Sequence, residues 1–191
     1  MLEFFKQIKT ALILLAFFTV LTGFIYPYIV TFIAEKFFPV AANGSVIMKN
    51  EQPIGSTLIG QYFSEPQYFW GRPSATTPFP YNAANSSGSN LGPTNPALLS
   101  AIKNRIENLQ KNNGASQVPI DLVTTSASGL DPDISVAAAY YQVARIAKAR
   151  KMSKEKIDLL IQHNIEKRTF GILGEPRVNV LRINLALDSV S

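Results

Sequence analysis

The sequence predicts an α+β protein with a single N-terminal transmembrane helix followed by one extracytoplasmic domain of mixed α/β structure. Three observations lead to this fold class. Residues 10–34 carry no charged side chain, the rest of the chain has the size of one domain, and helix and strand patterns mix there without a repeating βα unit. The predicted boundaries are a cytoplasmic N-terminus at 1–9, the span at 10–34 and the domain at 35–191.

The uncharged segment is long enough to cross a bilayer. As a helix it would extend about 37 Å, which exceeds the roughly 30 Å of bilayer hydrocarbon. It is also longer than the apolar core of a signal peptide, and the one plausible cleavage site, Val40-Ala41-Ala42, lies beyond Glu35 and Lys36. We therefore expect a retained anchor. Lys6 and Lys9 precede the span, which predicts that the N-terminus is cytoplasmic.

The composition of the span limits its role. It holds no Asp, Glu, Lys or Arg, the side chains that usually mark an ion pathway within a membrane. Ala16, Thr19 and Gly23 are small residues on one helix face, a spacing that allows close packing against another helix but is also frequent in solitary anchors. Pro27 is expected to kink the outer third of the helix.

The first half of the domain, residues 39–96, is rich in proline and aromatic residues. Short strands are expected at Ser45–Met48 and Thr57–Phe63, followed by a long irregular connection. An aromatic cluster in this half fits either a core or an interface, where Tyr, Trp and Arg are favoured. Its members are Tyr62, Phe63, Tyr68, Phe69, Trp70 and Tyr81. The candidate subunit interface drawn from this region consists of Tyr68, Phe69, Trp70 and Arg72.

The second half of the domain has clearer periodicity. Residues 96–112 predict an amphipathic helix with Asn95 as its N-cap, and residues 118–123 suit a strand. A second helix is expected to begin at Asp131-Pro132 or at Ser135 and to end near residue 150, with Tyr140 on its inward face. A third begins after Ser153.

The last element is predicted to be a strand. Leucine and isoleucine occupy every second position from Leu181 to Leu187, and Arg182, Asn184 and Ala186 lie between them. Such an alternation is typical of a half-buried strand.

Residues that could carry chemistry are few. The chain has no cysteine and a single histidine, His163, which excludes disulfides and zinc sites of the Cys/His type. No nucleotide-binding glycine motif occurs, and no basic stripe interleaved with aromatic residues indicates nucleic-acid binding. The 88–92 loop fits an anion cradle or a bare turn, and Asp131-Pro132-Asp133 fits a calcium ligand set or an acidic helix start. The sequence thus favours a membrane-tethered, non-catalytic domain that binds no cofactor directly.

Several motifs follow one another along nearly the whole chain: Gly55–Gln61, Phe63–Ala75, Ser87–Pro96, Gly129–Pro132, Gly174–Leu181 and Asn184–Asp188. Together with the N-terminal span, they resemble the C subunit of the Kdp high-affinity potassium-transporting ATPase of bacteria, the KdpC family. In many members we expect histidine after the Leu-Asp-Pro motif. Asp133 occupies that position here, which argues against a role that needs an imidazole.

The resemblance implies a non-catalytic subunit of an ATP-driven potassium importer in the bacterial inner membrane. Its implied partners are a channel-like potassium-translocating subunit, a P-type ATPase subunit and a small single-span subunit; the first two handle potassium and ATP. The family's subunit is described as a catalytic chaperone that raises the ATP affinity of the pump subunit. Because only the first few residues would be cytoplasmic, the sequence favours assembly and stabilisation, and a cap over the potassium entrance is compatible with this. A membrane-anchored periplasmic enzyme and a free-standing ligand-binding module remain alternatives.

Overall fold

A computed structural model describes residues 1–190, except for the side chain of Leu2. The described part of the chain is α+β, as predicted, and the chain divides into two compact units, Met1–Val46 and Ile47–Ser191.

The first unit is helical. It consists of α1 (Leu2–Val20), a π-helical segment (Leu21–Ile25), α2 (Tyr26–Phe37) and the short α3 (Pro39–Ala42). Residues Glu3–Phe37 form one continuous helical stretch of 35 residues with no buried side chain, and it is the one candidate membrane span among the described residues. The helix therefore extends beyond both ends of the uncharged 10–34 segment.

The predicted perturbation at Pro27 takes the form of a π-helical segment. Pro27 lacks an N–H group, and its ring would crowd the carbonyl group of Gly23, four residues earlier. The five π-helical residues Leu21–Ile25 lie directly before this position and include Gly23. A wider turn at this point accommodates the proline without ending the helix.

The strands of the second unit form two small sheets. A hairpin pairs β1 (Val46–Lys49) with β2 (Gln52–Ser56). The second sheet contains β3 (Asp133–Ser135), β4 (Ile165–Glu166) and β5 (Arg177–Asn179) in the antiparallel order β3-β5-β4, with Val178 opposite both Ile134 and Ile165. The strand expected at 45–48 is present as β1, but the one expected at 57–63 is wrong. That segment turns instead, and the Gly60 N–H donates to the Leu130 carbonyl.

Five helices complete the second unit: α4 (Pro96–Asn113), α5 (Val136–Tyr141), α6 (Val143–Arg150), α7 (Lys154–His163) and α8 (Val180–Ser189). The predicted caps are confirmed, because the side chains of Asn95, Ser135 and Ser153 each accept a backbone N–H from the first turn of α4, α5 and α7. The helix expected to reach residue 150 is divided at Gln142 into α5 and α6, and Tyr140 faces outward at 38% exposure.

Two strand predictions in this half are wrong. Residues 118–123 contain a 3₁₀ turn at Ile120–Leu122, which buries Leu122 and Val123 next to each other and so breaks the strict alternation of a strand. The alternating 181–187 segment is the middle of α8.

The sequence misled at α8 because one buried position is polar. The buried positions include Val180, Ile183, Asn184 and Leu187, which have helical spacing. When Asn184 is counted as solvent-facing, the remaining apolar residues Leu181, Ile183, Leu185 and Leu187 alternate with polar or small ones, which is the pattern of a strand. Its side chain is 1% exposed and makes two hydrogen bonds to the backbone of Phe69, accepting from N–H at 2.8 Å and donating to the carbonyl at 3.0 Å.

A single apolar core joins the helices and the larger sheet. Helix α7 packs against α5, α6 and α8, and α4 packs against α6. The fully buried aliphatic and aromatic side chains at the centre are Phe69, Ile134, Ile146, Ile157, Ile161, Val178, Ile183 and Leu187.

Asn184→Leu should destabilise the domain by at least about 2 kcal/mol, because it leaves a buried N–H and a buried carbonyl of Phe69 without partners. The measurement is urea unfolding of the full chain in detergent. Asn104→Leu on the exposed face of α4 is the matched control and should change the free energy of unfolding by less than about 0.5 kcal/mol. Equal midpoints for the two variants would contradict the role assigned to Asn184.

Candidate functional site

The predicted interface segment Tyr68–Arg72 is held by side-chain amides rather than by a neighbouring strand. Asn184 bonds both backbone groups of Phe69, and Gln142 does the same for Trp70, accepting from its N–H at 2.8 Å and donating to its carbonyl at 3.1 Å. Phe69 is fully buried, so its side chain belongs to the core of this chain. Tyr68, Trp70 and Arg72 are partly exposed, and their role as an interface stays a prediction.

A buried arginine supports this segment from the side of α6. Arg145 is 6% exposed and lies 3.7 Å from the centroid of the Trp70 ring, a cation–π contact. Its guanidinium donates to the carbonyls of Pro66 and Tyr68, to Asn113 Oδ1 and to Gln142 Oε1. Burial lowers its pKa to about 10, so it remains protonated at neutral pH. The charge is solvated by carbonyl dipoles, amide oxygens and an aromatic face.

Arg72 connects the segment to the loop before β3. Its Nη1 atom lies 2.8 Å from Asp131 Oδ2 and its Nη2 atom donates to the Thr125 carbonyl at 3.3 Å, while its Nε atom is buried without a hydrogen-bond partner. The Tyr81 hydroxyl donates to the Arg72 carbonyl at 2.6 Å. Burial, and secondarily the nearby Asp131 carboxylate, raise the pKa of Tyr81 to about 12. Tyr81 is therefore a neutral hydrogen-bond donor at neutral pH.

Tyr81 also explains a glycine in the first motif of the sequence. A methyl group on Gly60 would collide with the Tyr81 ring and come within 2.8 Å of the Asp131 carbonyl oxygen. Only glycine lets the 57–63 turn approach this ring.

A cavity of about 340 Å³ lies between this segment and α4. Its walls are mostly aromatic, proline and leucine side chains, and its charged groups are Arg72 and Arg105. Arg105 Nη1 donates to the Val123 carbonyl at 2.8 Å, and burial lowers the pKa of Arg105. The cavity thus combines mostly apolar walls with a charged side chain, that of Arg105.

The other predicted site residues fall elsewhere. Ala16 and Thr19 lie in α1 and Gly23 lies in the π-helical segment, all three exposed. An added Cβ at Gly23 would meet nothing within 4 Å, so the position has room for a larger side chain in this chain alone. Whether another helix packs there stays a prediction.

The residues considered for catalysis or metal binding are engaged in local structure. His163 is exposed, and its Nδ1 atom lies 2.7 Å from the Leu159 carbonyl of the same helix. Asp131 pairs with Arg72, and Asp133 pairs with Arg177 at 2.9 Å. Within residues 1–190 no cluster of three or more His, Asp or Glu side chains could hold a metal ion.

An exposed apolar loop is a further surface feature of the second unit. Phe170, Ile172 and Leu173 are 88%, 75% and 57% exposed. Backbone hydrogen bonds between Thr169 and Leu173 close the loop, and both carboxylate oxygens of Glu175 lie 2.6 Å from Arg168 Nη2. The apolar tip is therefore presented by a bonded turn, a form that suits contact with another molecule.

Sequence reasoning missed the polar residues that organise this region: Gln142, Arg145, Asn184 and Arg105. Gln142 and Arg145 lie in a stretch rich in alanine, valine and isoleucine. Isolated polar residues in such an apolar stretch indicate that their side chains are buried and hydrogen-bonded inside the protein. The sequence around Arg105 does not indicate burial, because Arg105 lies among the polar residues that would form the solvent-exposed face of α4.

The chain is similar to known potassium-pump subunits over nearly its full length. Residues 8–189 match the model of the family KdpC, described as "K+-transporting ATPase, c chain". A protein of Polynucleobacter asymbioticus named "Potassium-transporting ATPase KdpC subunit" is 57% identical over 94% of this chain and 96% of its own length. Proteins of the same name from Herpetosiphon aurantiacus and Methylococcus capsulatus are each 55% identical, over 100% and 97% of this chain and 98% of their own lengths.

Tyr81→Phe tests the hydrogen bond to Arg72 through pH. The folded-state pKa of about 12 lies above the ordinary value near 10, so the stabilisation is complete below about pH 10 and is lost as pH rises through 12. Removing the hydroxyl should cost about 1 kcal/mol at pH 8 and should reduce the loss of stability between pH 10 and 12. Urea unfolding at several pH values measures both effects.

Tyr62→Phe, at an exposed tyrosine, is the control and should alter neither quantity. An alkaline loss of stability in Tyr81→Phe as large as in the unsubstituted chain would contradict the assignment.

Proposed function

The chain belongs to the KdpC family, the c chain of K⁺-transporting ATPases, and from this membership we propose that it is a non-catalytic subunit that assembles and stabilises a bacterial potassium import complex. The observation that carries the proposal is similarity above 50% identity over nearly the full length of both chains, the N-terminal helix included.

The geometry of the second unit supports an accessory role. The side chains around the Tyr68–Arg72 segment are engaged in internal structure: two amides bond its backbone, Arg145 stacks on Trp70, and Asp131 pairs with Arg72. A catalytic carboxylate or histidine needs a free reactive atom within reach of a substrate. Such engagement suits a rigid docking surface.

In the proposed topology, residues 1–9 are cytoplasmic, residues 10–34 span the inner membrane and residues 35–191 lie outside the cytoplasm. Lys6 and Lys9 support this orientation, since positive charges flanking a first span stay on the cytoplasmic side. The proposed partners are a channel-like potassium-translocating subunit, a P-type ATPase subunit and a small single-span subunit.

An influence on ATP affinity is part of the proposal, in an indirect form. ATP is cytoplasmic, and in this topology only the first few residues share that compartment. A rise in ATP affinity of the pump subunit would therefore be transmitted through the assembled complex, as a coupling between two sites. A cap over the external potassium entrance is compatible with the same placement.

The test of the proposed function is co-purification in mild detergent from cells that express the whole transport system. We expect the chain to bring down a large polytopic channel-like subunit and a P-type ATPase subunit in fixed ratio. A chain that purifies alone would favour a membrane-anchored enzyme or a ligand-binding module, and would contradict the proposal.

The proposed topology predicts the activity of reporters fused after Ser191. Alkaline phosphatase, which folds only outside the cytoplasm, should be active there, and a reporter that works only in the cytoplasm should be inactive. The reverse pattern would overturn the orientation.

Gly23→Leu should weaken association with the pump subunits, because a branched side chain separates closely packed helices. A Cβ at position 23 meets no side chain of this chain within 4 Å, so a leucine there does not clash with a neighbouring side chain of its own helix. Co-purification yield is the measurement, and Leu14→Ile at another exposed position of the span is the control. An unchanged yield would show that the small residues Ala16, Thr19 and Gly23 are not a packing face.

A further inference from the structure

The cavity between the Tyr68–Arg72 segment and α4 is lined by positively charged residues and by no negatively charged one. Its charged lining residues are Arg72 and Arg105, and no aspartate or glutamate stands among its lining residues. The carboxylate of Asp131 pairs with Arg72 from outside the lining. Hydrogen-bond donors therefore outnumber charged acceptors inside the cavity.

Arg105 has donor capacity that the chain itself leaves unused. The guanidinium of Arg72 is engaged with Asp131 and with the Thr125 carbonyl, neither of which lines the cavity. Arg105 makes one hydrogen bond, to the Val123 carbonyl, and no ion pair within the described residues. A guanidinium with unbonded N–H groups suits a carboxylate, which accepts two parallel N–H groups at once.

The walls indicate what accompanies that carboxylate. Phe63, Pro73, Pro80 and Leu109 provide apolar surface, and Tyr62 contributes a side chain that is 65% exposed. A site built for a small inorganic anion would surround it with donors. This cavity offers cationic donors on one part of its surface and aromatic and aliphatic contacts on the rest, the combination found in protein interfaces.

We propose that this cavity receives an acidic side chain, Asp or Glu, carried by an apolar segment of a partner subunit. The inference rests on the proposed function, since it assumes that the chain is part of a complex. The carboxylate pairs with Arg105, while its neighbours in sequence pack against the aromatic and proline walls. The Tyr68–Arg72 interface and the cavity then form one docking site.

Site-specific photo-crosslinking in the assembled complex tests this. A photoreactive phenylalanine analogue replaces Tyr62 at the cavity and, as a control, Leu99, which is 56% exposed on α4 and does not line the cavity. We expect the analogue at position 62 to crosslink to a partner peptide that contains Asp or Glu among apolar residues. The analogue at position 99 should not label that peptide.

Arg105→Gln should reduce this crosslink by about tenfold, the loss expected for one charge-assisted pair. Lys103→Gln, an exposed charge two residues earlier on α4, should leave it unchanged. Arg105→Glu combined with Arg at the identified partner position should restore it. These variants separate a specific ion pair from a general effect of net charge.

Three results would overturn the inference: an assembled complex without a crosslink from position 62, a labelled peptide without an acidic residue, or equal crosslinking in Arg105→Gln and Lys103→Gln. Saturable binding of free glutamate or inorganic phosphate to the assembled complex, abolished by Arg105→Gln, would also overturn it in favour of a small-anion site. Co-purification of the unsubstituted complex is checked first, so failure of the proposed function is recognised before any crosslink is measured.

Discussion

The second unit depends on one constraint: the chain at Phe69 and Trp70 runs through the interior without a strand beside it. Each of these residues buries a backbone donor and acceptor that must be bonded. Asn184 of α8 and Gln142, between α5 and α6, supply one donor and one acceptor each, so two side-chain amides replace a neighbouring strand. The position of α8 relative to α5 and α6 is fixed by that requirement as well as by apolar packing.

Arg145 follows from the same constraint. The carbonyls of Pro66 and Tyr68, just before the bonded pair, point inward and need donors, and a guanidinium supplies several from one side chain. The same group binds Gln142 Oε1 and so orients the amide that bonds Trp70. The arrangement buries the positive charge of the guanidinium. The Trp70 ring and the surrounding oxygen atoms interact with that charge and offset the cost of removing it from water.

The sequence predicted those elements whose signals are local. The caps Asn95 and Ser153 act within one helical turn, so the starts of α4 and α7 could be predicted directly, and Ser135 is the correct one of the two starts considered for α5. The prediction failed at α8 because the partner of Asn184 is 115 residues away, and a polar residue was taken as solvent-facing.

The cavity could not be predicted for a related reason. Arg105 becomes part of a cavity only because the fold places α4 near Arg72 and Tyr81. The aromatic cluster left core and interface open, and the structure divides it, with Phe69 inside and Tyr62 exposed.

The separation of the aromatic residues into a buried Phe69 and more exposed neighbours affects how the second unit could contact a partner. Polar residues near Tyr68–Arg72 are occupied in holding the segment, which makes the surface rigid. Docking of a partner on such a surface would cost this chain little conformational entropy, because the partly exposed rings of Trp70 and Tyr68 are already fixed by Arg145 and Arg150. In the proposed docking, binding energy would come from preorganised aromatic contacts and from the Arg105 guanidinium, which makes one hydrogen bond in this chain. The proposed role of stabilising an assembly calls for such a rigid surface, which in this chain arises from the amides and arginines that also hold its fold together.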